Sequence, residues 1–446
     1  MSEQGNVKLM NKWSMLAMNI GSMIGAGIVT LVGIAMGYTG TSVWFAYGIA
    51  LLLGFLYNLP FCFVTSAVKL EGGPYTLVNT ILGKKIGGIY IVCFFLYLPS
   101  IALYCVALNT YIQSLFEGVP DWLTPVATLI FFYVVQLRGI KSLASVQNVM
   151  TILLLIGLMM FALMGFSRVE WAAVSPSSPD FMTNGFSGVM KAALLLVFST
   201  YGQYYIAFMS RMCEDPKHDI PFSIIGCVLV LVVVYISVSI VAAGVLPLDV
   251  VANQPLTYVA REILPAPLFA FFIIAGPIMA LFTTTNGIMI QYAEPLYTAA
   301  QNNYFPRTLA RHNRYGQPWI AYTLVFLCSF IPIVLGWEIS TIAHLLLLVD
   351  IGLSVLMMIS IWQVPKRYPK AWKNRCFLKG LPDGFFYFAC ILSFIVQAII
   401  IYNSVTSIDT YIVVATLIVF VIAVFYTLHR LKTVEVTLPD IGVEEE

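Results

Sequence analysis

Gly21-Ser22-Met23-Ile24-Gly25-Ala26-Gly27 lies in the middle of the first long apolar segment, three glycines in seven residues. A glycine in a helix interior costs about 1 kcal/mol relative to alanine. A segment that only anchored the chain would not carry three of them there. The run predicts a helix that stops and restarts at membrane depth. A stopped helix frees backbone N–H and C=O groups. Lipid cannot satisfy them, so they must face protein or a water-filled cavity. Free N–H groups at the start of a half-helix suit an anion such as a carboxylate. The expectation is a membrane protein that binds a small anionic or zwitterionic solute inside the bilayer.

Composition agrees. Of 446 residues, 60% are hydrophobic and 10% charged, and the mean hydropathy is +0.90. Soluble domains carry about 25% charged residues, so the chain reads as an all-α polytopic membrane protein. A net charge of +2 is too small to point to nucleic acid. Lys8 and Lys12 precede an apolar stretch with no small-residue cleavage pattern, so no cleavable signal peptide is expected. The 8 cysteines are scattered, without CxxC or Cys/His ligand spacing. Neither a metal site, a disulfide framework nor a cofactor is expected.

Hydropathy predicts twelve transmembrane helices, at 13–37, 42–68, 86–116, 122–137, 146–166, 187–210, 221–246, 267–292, 319–336, 340–362, 384–402 and 410–428. An even count puts both termini on one side. With both in the cytoplasm, 20 of the 23 Lys and Arg fall inside, all but Arg168, Lys191 and Arg261. That asymmetry supports the count and the orientation together. The expected location is the cytoplasmic (inner) membrane. The stretch 167–185 reads as a loop, and the acidic end Glu444-Glu445-Glu446 as a solvated tail.

A second break is expected five spans after the first, because inverted-repeat transporters interrupt matching helices in their two halves. Phe198-Ser199-Thr200-Tyr201-Gly202-Gln203-Tyr204 supplies it, ending the apolar run 192–197 with hydroxyls, a glycine and an amide. The chain then divides, as one membrane domain over 1–446, into repeat one (about 12–166), repeat two (about 186–363) and two appended helices (about 384–428). The opposing reading is that each cluster only lets helices pack closely. The pairing of two breaks favours a binding site.

At this point the residues resemble the amino acid–polyamine–organocation superfamily of permeases. Residues Gly21 to Ile28 are similar to its first-span signature, with Val29 where a phenylalanine is usual. Glu71-Gly72-Gly73-Pro74-Tyr75 resembles the element after span two. Gly139-Ile140-Lys141 with Val146-Gln147 resembles the entry to span five. Asp215-Pro216-Lys217-His218-Asp219-Ile220-Pro221 resembles the segment after span six. Tyr297 to Pro306, continuing to Gly316-Gln317-Pro318, resembles the one after span eight. These five elements cover about residues 12 to 320. The resemblance implies a five-plus-five inverted repeat with broken helices 1 and 6, and amino acid transport by alternating access. It implies that the backbone N–H groups of Ser22, Gly25, Ala26 and Gly27 meet the substrate carboxylate, with Ile24 in the same run. The ammonium would meet carbonyls of Met23, Phe198 and Tyr201. Ser199, Gly202 and Tyr204 would complete the pocket.

Departures from the family bear on the substrate. Exchangers of arginine and polyamines commonly have an acidic residue where this chain has Tyr204, an aromatic where it has Ile288, and an amide where it has Ala102. A guanidinium or second ammonium needs a carboxylate or an aromatic face. A neutral amino acid is therefore favoured, with a cationic amino acid or polyamine antiporter as the alternative. Leu154 stands where some relatives place a coupling lysine. Asp350 in span ten is the coupling candidate, as an intramembrane ionisable group. It either carries a proton or serves as a fixed hydrogen-bond partner. His344, six residues earlier, falls on another face and does not pair with it. Asn286, after Thr283, Thr284 and Thr285, offers oxygen ligands to the substrate or to sodium. Glu294 and Arg211 are read first as independent interfacial charges, and second as a gate pair of swapped polarity. Lys191 is read as snorkelling outward.

Other classes fit less well. The 4 histidines are dispersed and no catalytic cluster appears, so no enzyme is expected. A sensing or channel-like membrane protein is the alternative of another class. Expected partners are an amino acid and the lipid bilayer. A homodimer is compatible with the sequence. The loop after span three, 117–121, has no cysteine, so no disulfide-linked heavy chain is expected. The short ends suit a prokaryotic member.

Overall fold

Asn11 starts the first helix. Its side chain accepts a hydrogen bond from the Ser14 N–H at 3.0 Å, which satisfies one of the free donors of a helix start. The computed structural model describes residues 9–439 and 441, apart from 26, 117, 338 and 406–409. Helix α1 (Lys12–Met23) stops at Ile24-Gly25. The chain resumes as a π-helical stretch, Gly27–Leu31, and runs on as α2 (Val32–Thr39). Ala26, one of the expected carboxylate donors, lies outside the described residues.

After a turn at Gly40–Ser42 comes α3 (Val43–Ala67). Gly72 and Gly73 then take φ values of 77° and 63°, a left-handed pair that only glycine adopts at no steric cost. A Cβ at Gly73 would stand 2.6 Å from the Phe208 ring. The turn launches α4 (Pro74–Leu82), with proline in its first turn. Helix α5 (Lys84–Cys93), a 3-10 stretch Phe94–Tyr97 and α6 (Ser100–Leu115) follow. The expected third span is thus two helices. Pro99 lacks the N–H that a continuous ladder would need there.

Helices α7 (Leu123–Leu137) and α8 (Ile140–Phe166) complete the first half. The second half opens with α9 (Gly185–Val197), which ends where the second break was expected. The chain beyond is not α-helical: Gly202–Phe208 and Ser210–Met212 are 3-10 turns. Helix α10 (Pro216–Gly244) follows. Two short helices, α11 (Leu248–Val251) and α12 (Leu256–Ile263), cover the ends of neighbouring helices and were not expected. Helix α13 (Ala266–Ile273) passes through a π-helical stretch at Ile274–Ile278, around Pro277, into α14 (Met279–Gln301). The helix runs past the expected span end at 292: Glu294 and Pro295, which read as its polar end, are buried within it. Helices α15 (Trp319–Val334), α16 (Ile339–Arg367), α17 (Pro369–Lys373), α18 (Asp383–Val405) and α19 (Thr410–Thr433) finish the chain.

Among the described residues, nine helical stretches are long and apolar enough to cross a membrane. One of them, Lys12–Ala67, has 56 residues, far more than the ~20 that one crossing needs. Two further apolar helices, Leu123–Leu137 and Trp319–Val334, are shorter. The chain is an all-α polytopic membrane protein. Helix α1 packs against α8, α10 and α14, and α3 packs against α9, α10 and α18. The two interrupted segments therefore lie inside a ring of continuous helices.

Candidate functional site

The two breaks meet. A Cβ at Gly27 would stand 2.3 Å from Cβ of Ser199, and one at Gly202 would stand 2.7 Å from Cε of Met23. At Gly27 only glycine permits the approach, whereas at Gly202 the flexible end of Met23 would have to move. Ser22, Ile24, Gly25, Gly27, Ser199, Tyr201, Gly202 and Tyr204 are all buried, and Met23 and Phe198 half-buried. The packing reading of these glycines is thus satisfied along with the break.

Backbone groups freed by the breaks have specific partners. The Gly25 N–H closes a tight turn on the Met23 carbonyl at 3.0 Å. It was expected to be free for a carboxylate, and it is engaged. Ser22 lies within α1, and its hydroxyl donates to the Met18 carbonyl at 2.8 Å. That leaves the N–H groups at the start of the Gly27–Thr39 half-helix, which have no partner within their own helix. Across from them the Tyr235 hydroxyl of α10 lies 3.3 Å from the Met23 carbonyl oxygen and 3.4 Å from that of Ser199. One hydroxyl therefore stands between the carbonyls of both breaks. The Tyr47 hydroxyl of α3, its ring 5.1 Å from that of Tyr235, reaches the Gly27 carbonyl at 3.3 Å.

Asn58 of α3 organises the second break. Its Nδ2 lies 2.7 Å from the carbonyl oxygens of Gly54 and Tyr201 and 2.6 Å from Gln203 Oε1. Its Oδ1 accepts the Tyr204 N–H at 2.8 Å. The Tyr201 carbonyl, expected to meet an ammonium, already accepts from this amide. Thr200 adds a bond from its hydroxyl to the Ala50 carbonyl at 2.8 Å. The Tyr204 ring packs against Phe61, Tyr57 and Tyr205, at 5.1, 5.8 and 4.4 Å.

On α14 the three threonines divide as helical geometry requires. Thr284 turns its hydroxyl to α1, 3.3 Å from the Gly21 carbonyl oxygen and 3.5 Å from that of Ser22, and Thr283 sets its Cβ against Gly21. Asn286 points elsewhere. It accepts from Gln136 at 2.8 Å and donates to Gln147 at 2.7 Å. Both of its polar atoms are spent in an amide cluster between α7, α8 and α14. The sequence could not show this, because Gln136 and Gln147 lie more than a hundred positions away.

Asp350 of α16 is placed beside the second break. It accepts from the hydroxyls of Tyr97 at 2.8 Å, Tyr205 at 3.3 Å and Tyr201 at 3.5 Å. A tyrosine shell was missed in the sequence. Its only local signal is Tyr201-Gly202-Gln203-Tyr204-Tyr205, three hydroxyls in five residues. The His344 side chain lies outside the described residues, so its relation to Asp350 stays there too. Lys191 is exposed. Ala102 and Leu154 are fully buried and Ile288 is half-buried.

Arg211 and Glu294 correct an expectation. They are not independent: Arg211 Nε and Nη2 donate to the two Glu294 oxygens at 2.8 and 2.7 Å. The Glu294 side chain is wholly buried, and the guanidinium lies 4.6 Å over the Tyr297 ring. A bidentate fork of this kind holds its geometry. It closes the end of the molecule where α1 begins. Beside it, Met10 forms an isolated bridge with Cys213, through bonds of 2.8 Å to the Met212 carbonyl and 3.0 Å from the Glu214 N–H, and Glu71 bridges to Met209.

Interrupted helices buried in a ring of apolar helices, with freed carbonyls and N–H groups turned inward, define a membrane permease of the all-α type. Comparison with known proteins gives the particular family. The family model described as amino acid permease matches residues 10–426, and the chain belongs to that family. The motif resemblance noted above is thus kinship within the amino acid–polyamine–organocation superfamily. A branched-chain amino acid permease of Bacillus subtilis is 25% identical over 80% of this chain and 81% of its own. A methylthioribose transporter of the same organism is 23% identical over 81% and 82%. Its serine/threonine exchanger is 23% identical over 72% and 75%.

Proposed function

We propose that this protein is a secondary transporter of a neutral amino acid, bound between the two helix breaks and moved by alternating access. The observation that carries the reading is the meeting of the breaks around Gly27, Ser199 and Tyr235. The N–H groups opening the Gly27–Thr39 half-helix suit the carboxylate. The carbonyls of Met23 and Ser199 suit the ammonium, which would replace the Tyr235 hydroxyl there. Ile24, Gly25, Phe198, Tyr201 and Gly202 wall the space; Ala26 belongs to the same run. Asn286 is given a supporting role in place of a contact. The relatives named for branched-chain amino acids and for serine/threonine support an amino acid with an uncharged side chain.

Asp350 is the proton carrier in this reading. A buried carboxylate with hydroxyl donors and no basic partner among the described residues is costly as an anion and is eased by a proton. The helices fit twelve crossings, counting two in Lys12–Ala67 and one each in the two shorter apolar helices. Both termini would then be cytoplasmic, in the cell membrane, with the Arg211–Glu294 pair at the inner mouth. A second reading has one observation in its favour. Asp350 touches Tyr201 at the break, which supplies the carboxylate a cationic substrate would need.

Uptake into proteoliposomes tests both. Labelled leucine, threonine, phenylalanine and arginine are offered with and without a proton gradient, a sodium gradient and internal substrate. Flux of a neutral member driven by protons is expected. Flux of arginine alone would replace the first reading by the second. Binding of any of them without flux would favour a sensor.

A further inference from the structure

Asp350 sits midway along α16 in a shell of tyrosines. Tyr97, in the 3-10 turn before α6, donates to it, Tyr57 of α3 lines the same cavity, and Tyr90 of α5 and Tyr292 of α14 lie within electrostatic reach of it. Tyr201, Tyr204 and Tyr205 face it from the second break. Among the described residues no other kind of titratable side chain does so. Beyond the shell lies a cavity of about 10 Å³, lined by Tyr57, Tyr201, Asp350, Ser354, Gln397 and the isoleucines 351, 400 and 401. A space of that size holds about one water. Two of its lining atoms are orphans. Tyr57 Oη and Gln397 Oε1 are buried, their residues 2% and 4% exposed, and neither has a hydrogen-bond partner. The hydroxyls of Tyr204 and Ser354 are near Tyr57 without completing a bond. The amide nitrogen of Gln397 donates to the Ser354 hydroxyl at 2.5 Å, which fixes the amide of this lining residue and leaves its oxygen as the atom without a partner.

We propose that the cavity holds one water molecule, gripped by Tyr57 and Gln397, which solvates Asp350 and so sets when that carboxylate takes up its proton. The inference rests on the reading of Asp350 as the proton carrier. The water accepts the Tyr57 O–H and donates one hydrogen to Gln397 and one to Asp350. Both orphan atoms are then satisfied, as buried polar groups must be. Of the two carboxylate oxygens, Oδ1 already takes the Tyr97 and Tyr205 hydroxyls, and Oδ2 has only the long contact to Tyr201. Oδ2 is the one with room for the water. Tyr57 and Gln397 are positioning residues. Through Gln397, helix α18, outside both repeats, becomes part of the coupling machinery.

The test uses the full chain in lipid and two readouts. One is the infrared band of the protonated carboxyl that disappears in Asp350→Asn, followed against pH. The other is the pH profile of uptake of whichever labelled amino acid is transported. Tyr57→Phe and Gln397→Leu each remove a hydrogen bond that holds the water. Loss of solvation disfavours the charged carboxylate. The midpoint of both readouts is expected to rise by about one pH unit, a tenfold change in proton concentration. Ile401→Val, on the same cavity, should leave both in place and controls for packing. Unmoved midpoints in Tyr57→Phe and Gln397→Leu, with the band still lost in Asp350→Asn, overturn the water and spare the proton carrier. No titrating band and an unchanged profile in Asp350→Asn overturn both. A sodium requirement that Gln397→Leu abolishes at fixed pH would make the occupant a cation and overturn the proposal.

Discussion

Glu294 is fully buried and its charge rests on Arg211. Removing one partner of a buried ion pair typically costs roughly 3–5 kcal/mol, since the other charge is left unpaired. Glu294→Gln is therefore expected to lower the melting temperature in detergent by several degrees. The double exchange Arg211→Glu with Glu294→Arg should recover part of that loss, and each reversed single variant should not. A double variant no better than the singles would mean that the pair contributes nothing as a pair. The two residues were visible in the sequence, 83 positions apart. Their pairing was read only as the second alternative, because it depends on the 3-10 turn Ser210–Met212, whose geometry no local pattern announces. Asp350 shows the same limit. Its burial in the membrane was legible, and its ring of tyrosines, drawn from five helical segments, was not.

At the scale of elements the breaks were the legible part. Glycine clusters are local signals, and α1 and α9 end within a residue or two of the expected places. The continuation of the second break was not legible. Its 3-10 path is held by Asn58, a residue of α3 that looks like any other polar residue in an apolar run. Asn58→Ala would strip partners from the Tyr201 carbonyl, the Gln203 side chain and the Tyr204 N–H. Each buried group left unsatisfied costs about 1–3 kcal/mol. A clear loss of thermal stability is expected, and Asn58→Asp, which keeps the acceptor for Tyr204 but turns a buried carboxylate oxygen on the oxygens of Gly54, Tyr201 and Gln203, should lose at least as much. An unchanged melting temperature in Asn58→Ala would assign the break's shape to something else. The third expected span teaches the converse. Pro99 was in plain view, yet the interruption at Phe94–Tyr97 was not read from it. Prolines in membrane helices are common enough that one alone does not signal a break.

For the whole molecule, one end is shut by three separate devices: the Arg211–Glu294 fork, the Met10 pairing and the Gly72-Gly73 turn against Phe208 and Thr298. The other end is covered by the chain around α12, where a Cβ at Gly33 would overlap the Gln254 carbonyl. The Tyr235 hydroxyl stands against the carbonyls of both breaks. A carrier that trades solutes one for one never crosses the membrane unloaded. A carrier that accumulates solute must make the return trip with nothing aboard. On the transport cycle proposed above, the carbonyls of Met23 and Ser199 would need a substitute for the missing cargo during that trip, and the Tyr235 hydroxyl, already against both, would be that substitute. Tyr235→Phe is expected to keep counterflow of labelled against unlabelled amino acid within about threefold of the parent protein. It should cut net uptake into empty vesicles by tenfold or more, about 1.4 kcal/mol on the unloaded step. Equal losses in both assays would make Tyr235 a packing residue. A selective loss would mean that one hydroxyl separates a pump from a barter system.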